Sequence, residues 1–339
     1  MRKFAPRYNH TQMEQLIRDF PNQILKAMAI GNGFIPTDAD VDYANVVISG
    51  CGGSGIGGTV AAELVAGECP VPIAVIKEYG IPAYVGIGTL FLSCSYSGNT
   101  EETISATEQA LSRGAKVVVI ASGGKLIEIA RSQNLDHIII PGGQPPRASF
   151  GLSFPQILYV LHGFGLISRG FEHGLEKAVE LMDTEHDDIV SKATDVASAM
   201  FGRLPVIYTS AGNEGVAVRF RQQVNENSKV LCWHHVIPEM NHNELVGWTE
   251  KDNRLIVILF RNTTDHARIQ LRMESNKRTF LVLTPNVLEI WSKGNGPIIR
   301  AIYQIHFGDW VSLFLARLRK VDEMEVRVID QLKAELSRL

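Results

Sequence analysis

Residues 91–103, Phe-Leu-Ser-Cys-Ser-Tyr-Ser-Gly-Asn-Thr-Glu-Glu-Thr, run from an apolar strand-like stretch through hydroxyls and a glycine into a helix-like pattern. Such a junction suits a phosphate. A helix N-terminus exposes unpaired N–H groups and the positive end of its dipole, so an anion is stabilised there without any lysine. Ser95, Ser97 and Thr100 add hydroxyl donors, and Gly98 lets the backbone turn closely around a ligand. A helix cap needs only one hydroxyl, so several in one loop point to a bound group. An earlier turn, Gly50-Cys51-Gly52-Gly53-Ser54-Gly55-Ile56-Gly57-Gly58, also joins a strand pattern to a helix pattern. Gly50, Gly52 and Gly55 satisfy a dinucleotide fingerprint, but the ribose-binding acid expected about 20 residues later has no well-placed candidate. Glu78 lies beyond the end of the next strand pattern. Two donor turns one β-α-β unit apart fit a single phosphate, with Gly53 and Ser54 on one side and Ser95, Ser97 and Thr100 on the other.

Composition limits what carries that phosphate. The 339 residues are 45% hydrophobic and 20% charged, enough for a full core and two domains. A formal charge of −3 gives no field to draw in nucleic acid or an acidic membrane surface, so an anion must be held by local donors. Cys51, Cys69, Cys94 and Cys232 have no C-x-x-C spacing and read as reduced thiols. The first 32 residues carry Arg2, Lys3, Arg7, Asp19 and Lys26 instead of an apolar signal core, and no later run is long enough to span a bilayer. The expectation is a cytoplasmic protein with no membrane or nucleic-acid partner.

The elements that must position these loops follow from periodicity. Met13, Leu16, Ile17, Phe20, Ile24, Leu25 and Met28 recur at helical spacing, with a bend expected at Pro21. Short branched apolar runs at 46–49, 73–76, 90–93, 117–121 and 138–141 read as buried parallel strands. Helical patterns at 55–66, 100–113 and 125–131 lie between them, which gives an α/β sheet. Residues 150–200 look wholly helical, and then the first pattern returns. Strands are expected at 206–209, 230–234, 255–260 and 280–283, helices at 212–227 and 265–275, and two closing helices at 297–318 and 323–338. The predicted fold class is α/β, with two doubly wound domains, each a mainly parallel sheet flanked by helices. Predicted boundaries are 1–40 for an N-terminal helical segment, 41–170, a connector at 171–200, and 201–339.

Together, the G-x-G-G-S-G-x-G-G turn and the S-x-S-G-N-T loop resemble the sugar-isomerase (SIS) domain of phosphosugar enzymes and regulators. Further along, Gln144-Pro145-Pro146-Arg147-Ala148, Asn225-Glu226-Asn227, Pro238-Glu239-Met240-Asn241-His242-Asn243-Glu244 and Val328-Ile329-Asp330-Gln331-Leu332-Lys333 resemble the bifunctional phosphoglucose/phosphomannose isomerase family. The resemblance implies two SIS domains, a homodimer, no metal, no cofactor, and interconversion of glucose 6-phosphate or mannose 6-phosphate with fructose 6-phosphate.

Aldose–ketose isomerisation needs a base that moves a proton between neighbouring carbons, and a carboxylate suits that task. Glu226 is the candidate, near the end of the 212–227 helix and beside the apolar stretch 230–233. Composition alone would make it an exposed helix-end glutamate, and the family match reverses that order. A histidine titrating near neutrality can open the sugar ring. His242 aligns with the family's ring-opening histidine, which in the family can reach the site from the neighbouring subunit, so that the resemblance leaves both its own and the partner's site open to it, with Asn241 or Glu244 to orient it. His234 and His235 read as structural hydrogen-bonding groups. Arg147 matches the arginine that stabilises the enediolate, and Lys333 the lysine near the sugar hydroxyls. One departure concerns 322–326, Asp-Glu-Met-Glu-Val, where many relatives carry Thr-Pro and Met324 stands in place of the threonine. Glucose chemistry is therefore the firmer half of the expectation. Competing readings are a non-catalytic phosphosugar-binding regulator, a nicotinamide-dependent oxidoreductase resting on Gly50, Gly52 and Gly55, and an aminosugar amidotransferase. The first 32 residues are too short for a three-helix DNA-binding domain, and no N-terminal nucleophilic cysteine suggests a glutaminase.

Overall fold

The computed structural model of the chain describes residues 11–336 and 338. Two helices open it, α1 (Gln12–Arg18) and α2 (Phe20–Gly31). They break at Asp19, and Pro21 falls in the first turn of α2, where its missing N–H costs nothing. A wound unit follows: β1 (Asn45–Ser49), α3 (Gly52–Val65), β2 (Ile73–Ile76), β3 (Thr89–Cys94), α4 (Glu101–Ser112), β4 (Lys116–Ala121), α5 (Gly124–Ser132) and β5 (Asp136–Ile139). Its strands form a parallel sheet in the order β2-β1-β3-β4-β5.

Three helices, α6 (Phe150–Gly163), α7 (Phe171–Thr184) and α8 (His186–Met200), lead to a second unit. This one runs β6 (Leu204–Ser210), α9 (Glu214–Ser228), β7 (Trp233–Ile237), β8 (Leu255–Arg261), α10 (Ala267–Leu283), β9 (Val287–Trp291), α11 (Pro297–Arg319) and α12 (Arg327–Leu336). Its sheet is also parallel, ordered β7-β6-β8-β9.

Strand alternation sorts the side chains into faces. Val47, Phe91, Val117 and Val119 meet the small and branched residues of α4 and α5. Ile48, Leu92 and Val118 face the other way, into a core shared with Ile207, Ile258 and Phe260 of the second sheet. That central core, filled from α2, α6, α7, α8, α9 and α11, joins the two units. The outer face of the second sheet, Val206, Tyr208, Val257 and Leu259, is covered by Met273 and Phe280 of α10.

Most expected elements are present, and the largest error is at 280–283. That Phe-Leu-Val-Leu run ends α10 instead of forming a strand. Only Phe280 is buried there, following Met273 and Asn276 at helical spacing, while Leu281 and Val282 are 48% and 67% exposed. The true strand, Val287–Trp291, carries Glu289 at its centre, which hides its apolar alternation. The strand expected at 230–234 begins only at Trp233, because Lys229 in the left-handed region (φ +55°) ends α9 and turns the chain. The last helix starts at Arg327 instead of 323, and its end falls partly outside the described residues.

Candidate active site

The glycine-rich turn after β1 and the hydroxyl loop after β3 meet at the carboxyl ends of those strands. Tyr96 N–H donates to Ser54 Oγ at 2.9 Å, fastening one loop to the other. Within the second loop, Gly98 N–H donates to Ser95 Oγ at 3.1 Å, and Ser95 Oγ lies 2.8 Å from Thr100 Oγ1. Thr100 occupies the N-cap of α4, yet its side chain caps nothing. Its hydroxyl is thus left to the loop interior. Ser97 is exposed, with its Oγ accepting from Asn99 N–H at 3.2 Å. Gly98 has φ +71°, and a Cβ there would fall 1.8 Å from Gly123 O, so no other residue fits this turn.

Arg147 stands directly beside these loops. A Cβ on Gly53 would lie 2.9 Å from Pro146 O and 3.3 Å from Arg147 N, so the two backbones are in contact. Gln144 N–H donates to Tyr96 Oη at 3.1 Å, and Gln23 Nε2 donates to Ala148 O at 3.0 Å, which secures both ends of the 144–148 segment. The Arg147 side chain is only 4% exposed, and burial lowers its pKa from the usual arginine value, against the pull of Glu226, Asp322 and Glu323. Its Nε donates to Asn227 Oδ1 at 2.7 Å, and its Nη2 to Glu323 O at 2.6 Å and Met324 O at 3.3 Å. Nη1 reaches Glu226 Oε2 at 3.5 Å. Glu226 itself keeps 27% of its side chain accessible, as a base that must meet substrate requires.

A buried frame supports this pair. Arg219 Nη2 donates to Arg147 O at 3.0 Å and pairs with Asp309 Oδ2 at 2.9 Å, and its guanidinium sits 4.7 Å over the Phe150 ring. Gln223 Nε2 also donates to Asp309, at 2.8 Å. Burial pushes the Asp309 carboxyl above its usual value, while Arg219 opposes the shift. Asn227 Nδ2 donates to Ser312 Oγ at 3.0 Å. Lys229 Nζ donates to Glu325 O at 2.7 Å, holding the segment before α12 close to the end of α9.

His242 is not brought to Glu226 within one chain. It ends the 3-10 turn Glu239–His242, where Asn241 Nδ2 donates to Asn276 Oδ1 of α10 at 2.8 Å and Met240 is buried on the outer face of the second sheet. Helix α9 covers the opposite face, with the Phe220 ring 5.3 Å from Phe260. The sheet therefore separates the two residues. His242 is exposed. Lys333 is exposed too, on α12, a helix with no buried residue. The two rival histidines, His234 and His235, have structural partners. His234 Nε2 lies 3.2 Å from Glu214, with its pKa lowered by burial, and His235 Nδ1 accepts from Val236 N–H at 2.8 Å. Glu244, one candidate for orienting His242, instead accepts from Tyr208.

Sequence reasoning missed Arg219, Asp309, Ser312 and Lys229. The signal for Asp309 was present, as a lone acid inside an otherwise apolar helical run, which is rarely buried unless paired. Among the described residues no three His, Cys, Asp or Glu side chains converge to hold a metal ion. No helix among them is long and apolar enough to cross a membrane.

Residues 189–336 match the family described as the bacterial phospho-glucose isomerase C-terminal SIS domain. A solved structure, the C-terminal domain of glucosamine-fructose-6-phosphate aminotransferase from Francisella tularensis, superposes with TM-score 0.77 at 12% identity over 94% of this chain and 99% of that one, a likeness of fold. The chain is 36% identical to the bifunctional phosphoglucose/phosphomannose isomerase of Caldicellulosiruptor bescii, over 96% of this chain and 99% of that protein. Identity to the protein of that name from Aquifex aeolicus is 34%, over 87% and 91%. With two doubly wound SIS-type units and relatives aligned along nearly its whole length, the chain belongs to the bifunctional phosphoglucose/phosphomannose isomerase family.

Proposed function

We propose that the protein interconverts glucose 6-phosphate, and mannose 6-phosphate as its relatives' name indicates, with fructose 6-phosphate. The observation that carries this reading is the buried Arg147 guanidinium, 3.5 Å from a partly accessible Glu226 and in backbone contact with the phosphate turn at Gly53. Gly53, Ser54, Ser95, Ser97 and Thr100 hold the phosphate with N–H groups and hydroxyls at the start of α3 and α4. Glu226 takes the proton from one carbon and returns it to its neighbour, so that no net proton is lost. Charge grows on the oxygen of the cis-enediolate, and Arg147, already desolvated, stabilises it without reorganising. A phosphosugar-binding regulator would need the phosphate loops but not this facing acid and cation.

The reading extends to a metal-independent homodimer in the cytoplasm, without cofactor or nucleic-acid partner. His242 opens the sugar ring in the partner's site, a role supported by its exposure and by the sheet between it and its own Glu226. Lys333 meets the sugar hydroxyls, carried by the segment that Arg147 and Lys229 hold. Domain boundaries near 41–170 and 201–339, with a helical connector at 171–200, follow the two sheets.

The test is fructose 6-phosphate formation from glucose 6-phosphate, and separately from mannose 6-phosphate, in the presence of EDTA. Turnover of either supports the proposal, and mannose turnover would show that Met324 does not block it. A folded protein that turns over neither sugar would overturn it, and activity lost only with EDTA would overturn metal independence.

A further inference from the structure

The second sheet repeats the winding of the first. Its order β7-β6-β8-β9 places a switch point between β6 and β8, as the first sheet does between β1 and β3. Ligands of wound α/β sheets sit in the crevice beyond the carboxyl ends of the strands at that point. A cavity of about 350 Å³ opens there, lined by Ser210, Asn213, Asn262, Thr264, His266 and Arg300. Its size is that of a small-ligand pocket.

Independent features give this crevice its chemistry. Arg300 pairs with no carboxylate among the described residues, and its hydrogen bond to Gly294 O is long, at 3.4 Å. Asn262 is 8% exposed and its Oδ1, a buried acceptor, has no partner, while its Nδ2 makes no hydrogen bond among the described residues, so the amide N–H groups are the ones left to donate to a ligand oxygen. Helices α10 and α11, of 17 and 23 residues, both begin at the rim, so the positive ends of their dipoles add to Arg300. His266 Nδ1 accepts from Arg268 N–H at 3.1 Å, which leaves Nε2 as the ring donor. The acid in the lining, Asp265, is occupied: Oδ1 accepts from Ser210 Oγ at 2.9 Å and Oδ2 from Asn262 N–H at 3.2 Å. It braces both loops. Helix α9 contributes no free N-terminus, because Glu63 of α3 accepts from Gly215 N–H at 2.9 Å.

We propose that the β6–β8 crevice is a second binding site, for a small metabolite that carries an oxyanion, with Arg300 as its charge partner and the Asn262 amide as its polar anchor. It is distinct from the Arg147–Glu226 site. Asn213, in its wall, immediately precedes α9 and Glu226 lies near the other end, about 20 Å away along a helix of 15 residues.

The test uses thermal unfolding of the full chain with inorganic phosphate, and in a second arm malonate, both against chloride at matched ionic strength. A Ser95→Ala/Thr100→Val background removes hydroxyls of the first site. A saturable rise in Tm in that background, with an apparent Kd raised at least fivefold by Arg300→Met and by Asn262→Leu, supports the proposal. Phosphate saturating first marks a phosphate ester, and malonate saturating first marks a carboxylate. If the background variant fails to fold, the same comparison is made between the unmodified chain and Arg300→Met. No saturable rise with either anion, or one that Arg300→Met leaves unchanged, overturns the second site whether or not the protein is an isomerase.

Discussion

Arg147 and Glu226, 79 positions apart in sequence, face each other at 3.5 Å through the one guanidinium end group not already committed elsewhere. Nε belongs to Asn227 and Nη2 to the carbonyls of Glu323 and Met324. Nη1 is therefore the nitrogen that can follow charge developing on a substrate oxygen, and it lies beside the base.

Lysine cannot reproduce that division of labour. Arg147→Lys keeps a positive charge but offers one ammonium where the arginine serves three directions. We expect kcat to fall by about 10²–10³-fold and stability by about 1–3 kcal/mol from the buried acceptors left unpaired. Steady-state kinetics and urea unfolding read the two losses separately, and a wild-type kcat would remove Arg147 from the chemistry.

Gly53 and Arg147 touch backbone to backbone, so a single methyl group is predicted to disturb catalysis from the phosphate side. In Gly53→Ala the new Cβ would meet Pro146 O at 2.9 Å and Pro146 C at 3.0 Å, and neither is the end of a flexible side chain. Shifting the 146–147 peptide should lower kcat/KM about tenfold or more, some 1.4 kcal/mol. Gly57→Ala is the control, since its Cβ would sit at an ordinary 3.6 Å from Ile157 Cδ1. Equal kinetics in the two variants would contradict the coupling.

Stability should depend on pH through Glu63. Burial raises its carboxyl from the ordinary 4.5 to about 7, with Glu214 adding to the rise and the Gly215 N–H and Lys77 opposing it. Between those values the folded chain keeps a proton that the unfolded chain releases. Stability from this group is thus complete below about 4.5, falls as pH rises toward about 7, and is flat above it. Unfolding of the wild type minus that of Glu63→Gln, measured from pH 4.5 to 8, should decline across this window. A difference that grows with pH would contradict the assignment.

Because the second sheet stands between His242 and Glu226 of one chain, a shared site predicts complementation. Glu226→Gln and His242→Ala are each expected to be nearly inactive. Mixed and refolded together, they form hybrid dimers in which one site has both groups intact, so that activity returns to about one quarter of wild type for random pairing. No recovery, with hybrids shown to form, would place His242 outside the partner's site.

Local chemistry was legible and long-range pairing was not. The hydroxyl loop at 95–100 and the glycine turn at 50–58 announce themselves because helix starts and tight turns demand particular residues. The strands of the first sheet are short branched runs with clear ends. Phe280 to Leu283 misled because a run of four apolar residues has no period, and only burial shows that Phe280 alone faces inward. Arg219 and Asp309 lie 90 positions apart, so nothing local pairs them. The separation of His242 from Glu226 depends on which face of a sheet each element covers, a property of packing that no motif encodes.

The central claim is that Glu226 carries hydrogen between adjacent carbons of a sugar phosphate held beside Arg147. Fructose 6-phosphate incubated with enzyme in deuterated water measures this directly, by deuterium appearing at the carbon that exchanges its proton. Wild-type protein should incorporate label while it isomerises, and Glu226→Gln should lose both activities together by about three orders of magnitude with its fold intact. Exchange and isomerisation that fall only a few-fold in that variant would contradict the account.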